Sequence, residues 1–202
     1  MQKNARDIPD EFRGFLPLFS KIDTLLANGS ATVAIEGGSA SGKTTLARFI
    51  KEAYDCNVFH TDDFFLRPEQ RTRERLDEIG GNLDRERFFD EIILPTSKKR
   101  ELRYRKFNCH GAILGEEIFV LPKKLTVIEG VYSMHLNFSK FYDFSVFLDI
   151  DKELQKKRII NRNPPDVAKR FFNEWIPLED LYFSKTAIKH RCDLSFSVKD
   201  IL

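Results

Sequence analysis

The stretch Gly37-Gly38-Ser39-Ala40-Ser41-Gly42-Lys43-Thr44 constrains this chain more than any other. It fits G-x-x-x-x-G-K-[ST], a loop that binds nucleotide phosphates. The flanks fit as well. Thr32-Val33-Ala34-Ile35 has the character of a buried strand, and Thr45-Leu46-Ala47-Arg48-Phe49-Ile50 that of the first turns of a helix. Glycines let the backbone curl until successive N–H groups face a phosphate, and a helix N-terminus behind them adds partial positive charge. Gly37 through Thr45 therefore form the candidate nucleotide-binding set, with Lys43 reaching the β- and γ-phosphates and the Thr44 hydroxyl on Mg²⁺. The competing explanation is a Gly/Ser-rich turn with a chance lysine, which the strand before and the helix after disfavour. The loop alone does not separate kinase, ATPase, GTPase and mechanical motor.

The chain has 202 residues, enough for one domain with a small insertion or lid and a large core without staples. Its 42% hydrophobic and 32% charged residues are ordinary for a soluble enzyme. A net charge of +2 is too small to argue for nucleic acid or a membrane as the main partner. No run approaches the roughly 18 apolar residues of a membrane span, and the segment Met1 to Asp7 lacks the apolar run of a signal peptide. Cys56, Cys109 and Cys192 are far apart, odd in number and without C-x-x-C spacing, so neither zinc nor a disulfide framework is implied. That usage suits a reducing cytoplasm. Cys56 and Cys192 adjoin apolar runs and are expected to be small buried hydrophobes. With 19 phenylalanines against one tryptophan, aromatic packing is expected to dominate core and cleft.

Residues 1–14 are polar and expected to be loosely ordered. Apolar positions 15, 16, 18, 19, 22, 25 and 26 have helical spacing, and Asn28-Gly29 stops that helix. A strand at 31–36, the loop and a helix to about Tyr54 follow, then a short strand at 57–60. Residues 66–82 suggest a charged surface loop with some helix, and Asp84 an N-cap for a helix through Leu94 that Pro95 ends. Residues 101–122 suggest a β-hairpin insertion around a Gly111–Gly115 turn. Strands at 125–130 and 144–150, a helix from Lys152 to Arg162, a break at Pro164-Pro165, a helix from Asp166 to about Phe183 and a strand at 193–198 complete the chain. Strands alternating with helices predict an α/β fold, a parallel sheet covered on both faces. Ligands bind such sheets at the carboxyl ends of the strands.

Three strands end in acidic residues: at Asp62/Asp63, at Glu129 and at Asp149/Asp151. Phosphoryl transfer to a hydroxyl needs a carboxylate to orient or deprotonate it, and acidic groups to hold Mg²⁺. Asp62 and Asp63 suit the first duty, with a turn or N-cap pair as the alternative. Glu129 ends the most apolar strand and suits the second, with a satisfied strand-end carboxylate as the alternative. Asp149 and Asp151 are expected to cap the next helix, and His60 to be a strand-end side chain.

With those residues in hand, the chain resembles the uridine kinase / phosphoribulokinase group of P-loop kinases. Thr61-Asp62-Asp63-Phe64-Phe65 resembles that family's D-[SD]-F-[YF], whose first Asp is the catalytic base; it maps to Asp62. Asn82-Leu83-Asp84 resembles its N-F-D, whose Asp holds ribose hydroxyls, and Phe107-Asn108-Cys109-His110 its F-x-x-H, which packs on the pyrimidine. Ile128-Glu129-Gly130 resembles [FI]-E-G, whose Glu helps bind Mg²⁺. Order and spacing agree from residue 31 to about 150. The resemblance implies one P-loop kinase domain over residues 1–202, with a hairpin insertion at about 101–122 and a helical lid at about 158–183. It implies ATP and Mg²⁺ as cofactors, with Thr44 and Glu129 on the metal, assisted by Asp62. It assigns Asp84, Tyr104, Phe107 and His110 to a nucleoside. Two departures stand out. Tyr104 lies three residues before Phe107, where the family's Tyr lies two before. The family's R-G-R-D lid sequence is absent, and Asn163-Pro164-Pro165-Asp166 stands near its place. Arg158 and Arg162, one turn apart on one helix face, could supply lid arginines, as could Arg170.

The expected activity is ATP-dependent phosphoryl transfer to a small metabolite, first a nucleoside 5′-hydroxyl of the uridine or cytidine type. Pantothenate or a sugar phosphate is the alternative acceptor, with Lys98, Lys99, Arg100, Arg103, Arg105 and Lys106 meeting an anion rather than solvent. A nucleotide-binding regulatory module with little transfer activity is the alternative from another class, kept open by the altered lid. A GTP switch is disfavoured because no N-K-x-D appears. Trp175 with Phe171, Phe172 and Ile176 fits a packing stripe. A homo-oligomer is compatible with all of this.

Overall fold

The structure, a computed structural model, describes residues 8–109 and 111–198. Helix α1 (Leu16–Ala27) leads into β1 (Ala31–Gly37), the loop, α2 (Lys43–Ala53) and β2 (Cys56–His60). Short helices α3 (Arg73–Leu76), α4 (Arg85–Phe88) and α5 (Leu94–Ser97) precede the hairpin of β3 (Leu102–Asn108) and β4 (Ile113–Val120). Then come β5 (Leu125–Glu129), β6 (Phe144–Asp149), α6 (Lys152–Arg162), α7 (Pro165–Arg170), α8 (Ile176–Thr186), α9 (Ile188–Arg191) and β7 (Leu194–Ser197).

β1 is buried over nearly its whole length because it is the central strand of a sheet ordered β2-β5-β1-β6-β7. Every pairing in that sheet is parallel. This is the α/β architecture expected from the alternation of strands and helices. Register sets the site: Glu129 lies opposite both Ile35 of β1 and His60 of β2, so three strand ends finish side by side. Alternate residues of each strand face opposite cores. Val33, Ile35, Val127 and Val146 pack with α1 and α2, whereas Ala34, Ile128 and Phe147 pack with Phe64, Phe88 and Tyr104. The hairpin forms a separate antiparallel pair.

Three local expectations need correction. Asp10–Phe15 is a 3₁₀ helix, not loose chain, and Phe12 is buried with its ring stacked on Phe49 at 4.0 Å. Residues 1–7 lie outside the described residues. Pro95 does not end its helix, because a π turn at Phe89–Ile93 precedes it and α5 continues to Ser97. A proline ring clashes with the carbonyl four residues back, and the widened turn moves that carbonyl aside. The same device, Phe171–Trp175, precedes Pro177. Gly115 belongs to β4 rather than to the hairpin turn, where the register shifts between Arg105 and Phe107. The extra residue there lies on β4, a bulge that glycine accommodates.

Candidate active site

The loop between β1 and α2 has the curl that its glycines foretell. Gly37 has φ +147°, and a Cβ there would stand 2.5 Å from the Leu148 carbonyl oxygen. Gly42 at φ +95° is the N-cap of α2, and Ala40 takes a left-handed φ of +63° between them. Lys43 is buried, its Nζ donating to the carbonyls of Gly37 at 2.8 Å and Gly38 at 2.9 Å. The ammonium therefore lies back across the loop. The Ser41 hydroxyl is buried and has no hydrogen-bond partner among the described residues. An unmatched buried hydroxyl is costly. A phosphate accepted by the loop would relieve it, so the residues present fit the group that the motif implies.

Glu129 ends β5 nearly buried and collects two neighbours on Oε1: Thr44 Oγ1 donates at 2.9 Å, and His60 Nδ1 lies at 2.5 Å. Burial alone would raise its pKa, but the His60 hydrogen bond and the charge of Lys43 outweigh it, and Glu129 falls below the usual carboxylate range. The same hydrogen bond lifts His60 above its ordinary value. Among the described residues no three His, Cys, Asp or Glu side chains form a ready metal cage. Thr44 and Glu129, joined at 2.9 Å, offer the one or two protein oxygens that Mg²⁺ takes, the rest of its shell being phosphate oxygens and water.

Asp62 follows β2 in a 3₁₀ turn, Thr61–Phe64. The residue is exposed, with protein packed round its carboxyl group. The crowding raises its pKa, Lys43 opposes the rise, and Glu129 and Glu179 add to it. The next residue, Asp63, pairs with Lys106 of β3 at 2.9 Å. Arg87 fastens this turn to the hairpin: Nη2 donates to the Asp63 carbonyl at 3.0 Å and to the Arg105 carbonyl at 3.1 Å, while the guanidinium covers the Phe64 ring at 4.4 Å.

Asp84 is buried as the N-cap of α4, accepting from Arg87 N at 3.2 Å and from Gln70 Nε2 at 3.0 Å. Tyr104 and Phe107 are buried too. The Tyr104 ring stacks on Phe64 at 5.9 Å and meets Phe59 edge-on at 5.6 Å, forming an aromatic floor beneath the Asp62–Asp63 turn. His110 lies outside the described residues.

The arginines divide. Arg158 reaches the loop, donating to the Ala40 carbonyl at 3.1 Å. Arg162 is exposed and points at the Phe171 ring, 5.5 Å away. Arg170 pairs with Glu174 and covers Trp175 at 4.8 Å. Asp151 caps α6 as expected, accepting from Glu153 N and Leu154 N, whereas Asp149, expected to share that role, ends β6 and pairs with Lys189 at 2.6 Å.

Several residues at the site escaped the sequence. Gln155 Nε2 donates to the Ser39 carbonyl at 2.9 Å. Glu179 of α8 accepts from Ser39 N at 2.9 Å and Ser39 Oγ at 2.5 Å. Both have the look of helix-surface polar residues, and only tertiary contact reveals them. Glu36 offered a signal, a charge inside an otherwise apolar strand. It is fully buried, accepting from Gly37 N at 3.0 Å, Met134 N at 3.0 Å and Tyr182 OH at 3.2 Å. Burial pushes its pKa up to about 7 against those bonds and the charge of Lys43.

A parallel sheet that carries this loop at its carboxyl edge, with carboxylates on the neighbouring strand ends, defines a P-loop nucleotide-binding protein. The model of the Phosphoribulokinase / Uridine kinase family matches residues 32–173, and the chain belongs to that family. It is thus a P-loop kinase that uses ATP and acts on a small molecule. Over 147 residues it is 26% identical to a uridine kinase of Geobacillus sp. (strain WCH70), spanning 68% of each chain. Over 149 residues it is 26% identical to Uridine-cytidine kinase-like 1 of Mus musculus, spanning 68% of this chain and 26% of that one. Solved structures share the fold. One of a possible uridine kinase from Bacillus stearothermophilus matches with a TM-score of 0.64 at 22% identity, over 90% of this chain and 100% of the other. A putative fructose transport system kinase from Silicibacter sp. TM1040 matches with a TM-score of 0.64 at 18% identity, over 88% and 98%. Among the described residues no helix is long and apolar enough to cross a membrane.

Proposed function

We propose that this kinase transfers the γ-phosphoryl group of ATP to the 5′-hydroxyl of a nucleoside of the uridine or cytidine type, as a single cytoplasmic domain. The observation that carries the reading is the cluster at the strand ends. Thr44 and His60 converge on Glu129, and Asp62 stands within electrostatic reach of Glu129 and Lys43. Loop N–H groups and Lys43 hold the phosphates, and their fixed positive potential meets charge as it develops. Thr44 and Glu129, with Asp62 beside them, would hold Mg²⁺, which neutralises phosphate charge when bound. Asp62 orients the attacking hydroxyl and takes its proton. Arg158, already on the loop, is the arginine best placed to act over the transferring group. Helices α6 to α8 serve as the lid and the hairpin as a wall of the acceptor pocket. The family resemblance assigns Asp84 to the ribose and Phe107 and His110 to the base. The uridine kinases among the relatives support the choice of acceptor.

A phosphorylated acceptor is a second reading, favoured by Lys106 of the basic hairpin segment, which pairs with Asp63 beside Asp62 at 2.9 Å. ADP release assayed with nucleosides, pantothenate and sugar phosphates, beside a control without acceptor, separates the readings. Release that depends on a nucleoside supports the proposal. Release with sugar phosphates alone supports the second reading, and release indifferent to acceptor supports a nucleotide-binding module. Asp62→Asn is expected to lose turnover by at least about 100-fold while still binding ATP. Turnover at the wild-type rate removes Asp62 from the base role.

A further inference from the structure

The mechanism above makes no use of the buried Glu179. Glu179 is only 4% exposed, and its carboxylate takes both the backbone N–H and the hydroxyl of Ser39. Ser39 is the third residue of the loop whose N–H groups are built to face phosphate. A carboxylate thus stands where the loop receives an anion. Glu179 is also near enough to Asp62 for its charge to act there. The contact is part of a closed front. Gln155 holds the Ser39 carbonyl, Arg158 the Ala40 carbonyl, and Tyr182, three residues after Glu179 on α8, donates to Glu36 at 3.2 Å. A phosphate cannot share the Ser39 N–H with Glu179, because two anions in a poorly solvated site repel.

We propose that Glu179 is an internal anion that occupies the γ-phosphate end of the loop in the nucleotide-free protein, and that ATP must release it from Ser39, moving α8 off the loop. The inference rests on ATP as the donor, not on the identity of the acceptor. ADP lacks the γ-phosphate and leaves Glu179 in place, so the position of α8 records which nucleotide is bound.

Glu179→Gln removes the charge and keeps an oxygen for the Ser39 N–H. Calorimetric titration with the β,γ-imido analogue of ATP and with ADP, in Mg²⁺ and without any acceptor, reads the effect. The analogue is expected to bind the variant at least about fivefold tighter than wild type, with ADP changed by less than about twofold. Analogue binding that is unchanged, or weaker relative to ADP, overturns the proposal and makes Glu179 a brace. Trp175, the one tryptophan of the chain, sits where the chain enters α8, edge-on to Phe171 at 4.4 Å. Its emission in the wild-type protein is expected to change with the analogue and not with ADP; an equal response to both overturns the movement. Should the Gln variant fail to fold, Ser39→Ala removes the hydroxyl half of the contact and is expected to tighten analogue binding in the same direction. No change there overturns the proposal. Failure of both nucleotides to bind wild type overturns the donor assignment and this inference together, whereas a wrong acceptor leaves every one of these measurements intact.

Discussion

Replacing Glu36 with Gln removes one titrating group and leaves the shape of the strand end nearly unchanged. In the folded chain this carboxyl keeps its proton to about pH 7, against an ordinary value of 4.5. Between those values the folded protein binds a proton that the unfolded chain has released, so folding is favoured there. The stabilisation is fully present below the unfolded pKa and disappears as pH rises through the folded one. Between roughly pH 5 and pH 8.5 the loss from this group comes to about 2.5 kcal/mol. The Gln variant carries a constant penalty of about 1 kcal/mol, because its amide cannot accept from both the Gly37 and Met134 N–H groups. It has no pH-dependent part. His60, whose raised pKa also favours the folded state at low pH, and His135, whose lowered pKa acts in the opposite sense, are present in both proteins and cancel in the difference. Urea unfolding of both proteins at the two pH values gives the answer. The gap in unfolding free energy between wild type and variant is expected to move by about 2.5 kcal/mol in favour of the variant as pH rises. A gap that stays constant to within about 0.5 kcal/mol refutes the argument that burial holds this proton on.

Other substitutions probe other parts of the same reasoning. Gly37→Ala forces a side chain into φ +147° and against the Leu148 carbonyl; urea unfolding is expected to show a loss of at least about 2 kcal/mol, and equal stability would discredit the strain. Phe12→Ala removes a buried ring stacked on Phe49, and a loss of about 3 kcal/mol in chemical unfolding is expected; a loss under about 1 kcal/mol would mean that the segment before α1 is not part of the core. Arg87→Lys gives up the guanidinium whose Nη2 joins the Asp63 and Arg105 carbonyls and whose face covers Phe64; steady-state kinetics are expected to show a higher KM for the acceptor with that for ATP unchanged. Equal changes in both would detach Arg87 from the acceptor side.

What the sequence discloses here follows the range of the interactions concerned. β1, the loop and α2 are legible because apolar spacing, glycine and the start of the helix all act within a few residues. The bounds of α6 were readable for the same reason, with Asp151 capping its start and Asn163-Pro164 following its end. The strand-end carboxylates were legible because a parallel sheet brings its carboxyl ends together. The contact of Glu179 with Ser39 spans 140 positions, and nothing in the local pattern of α8 marks that residue as different from its exposed neighbours. Pro95 misled because the compensating π turn is a backbone adjustment with no residue signature of its own. Phe12 was hidden in a polar surrounding; its burial depends on Phe49, on another helix. His60 was legible as a strand-end residue, while its bond to Glu129 came from the register of β2 on β5.

The two faces of the sheet have a consequence for how such a protein can change. The helix behind the phosphate loop is rooted in one core through Leu46, Ala47 and Ile50, whereas Leu102 and Tyr104 of the hairpin and Phe64 of the Asp62 turn are rooted in the other. A substitution that reshapes the hairpin is therefore absorbed by packing that α2 does not share. If the hairpin is the acceptor wall proposed above, acceptor preference can be altered on one face of the central sheet while the seat of α2 on the other is left as it is.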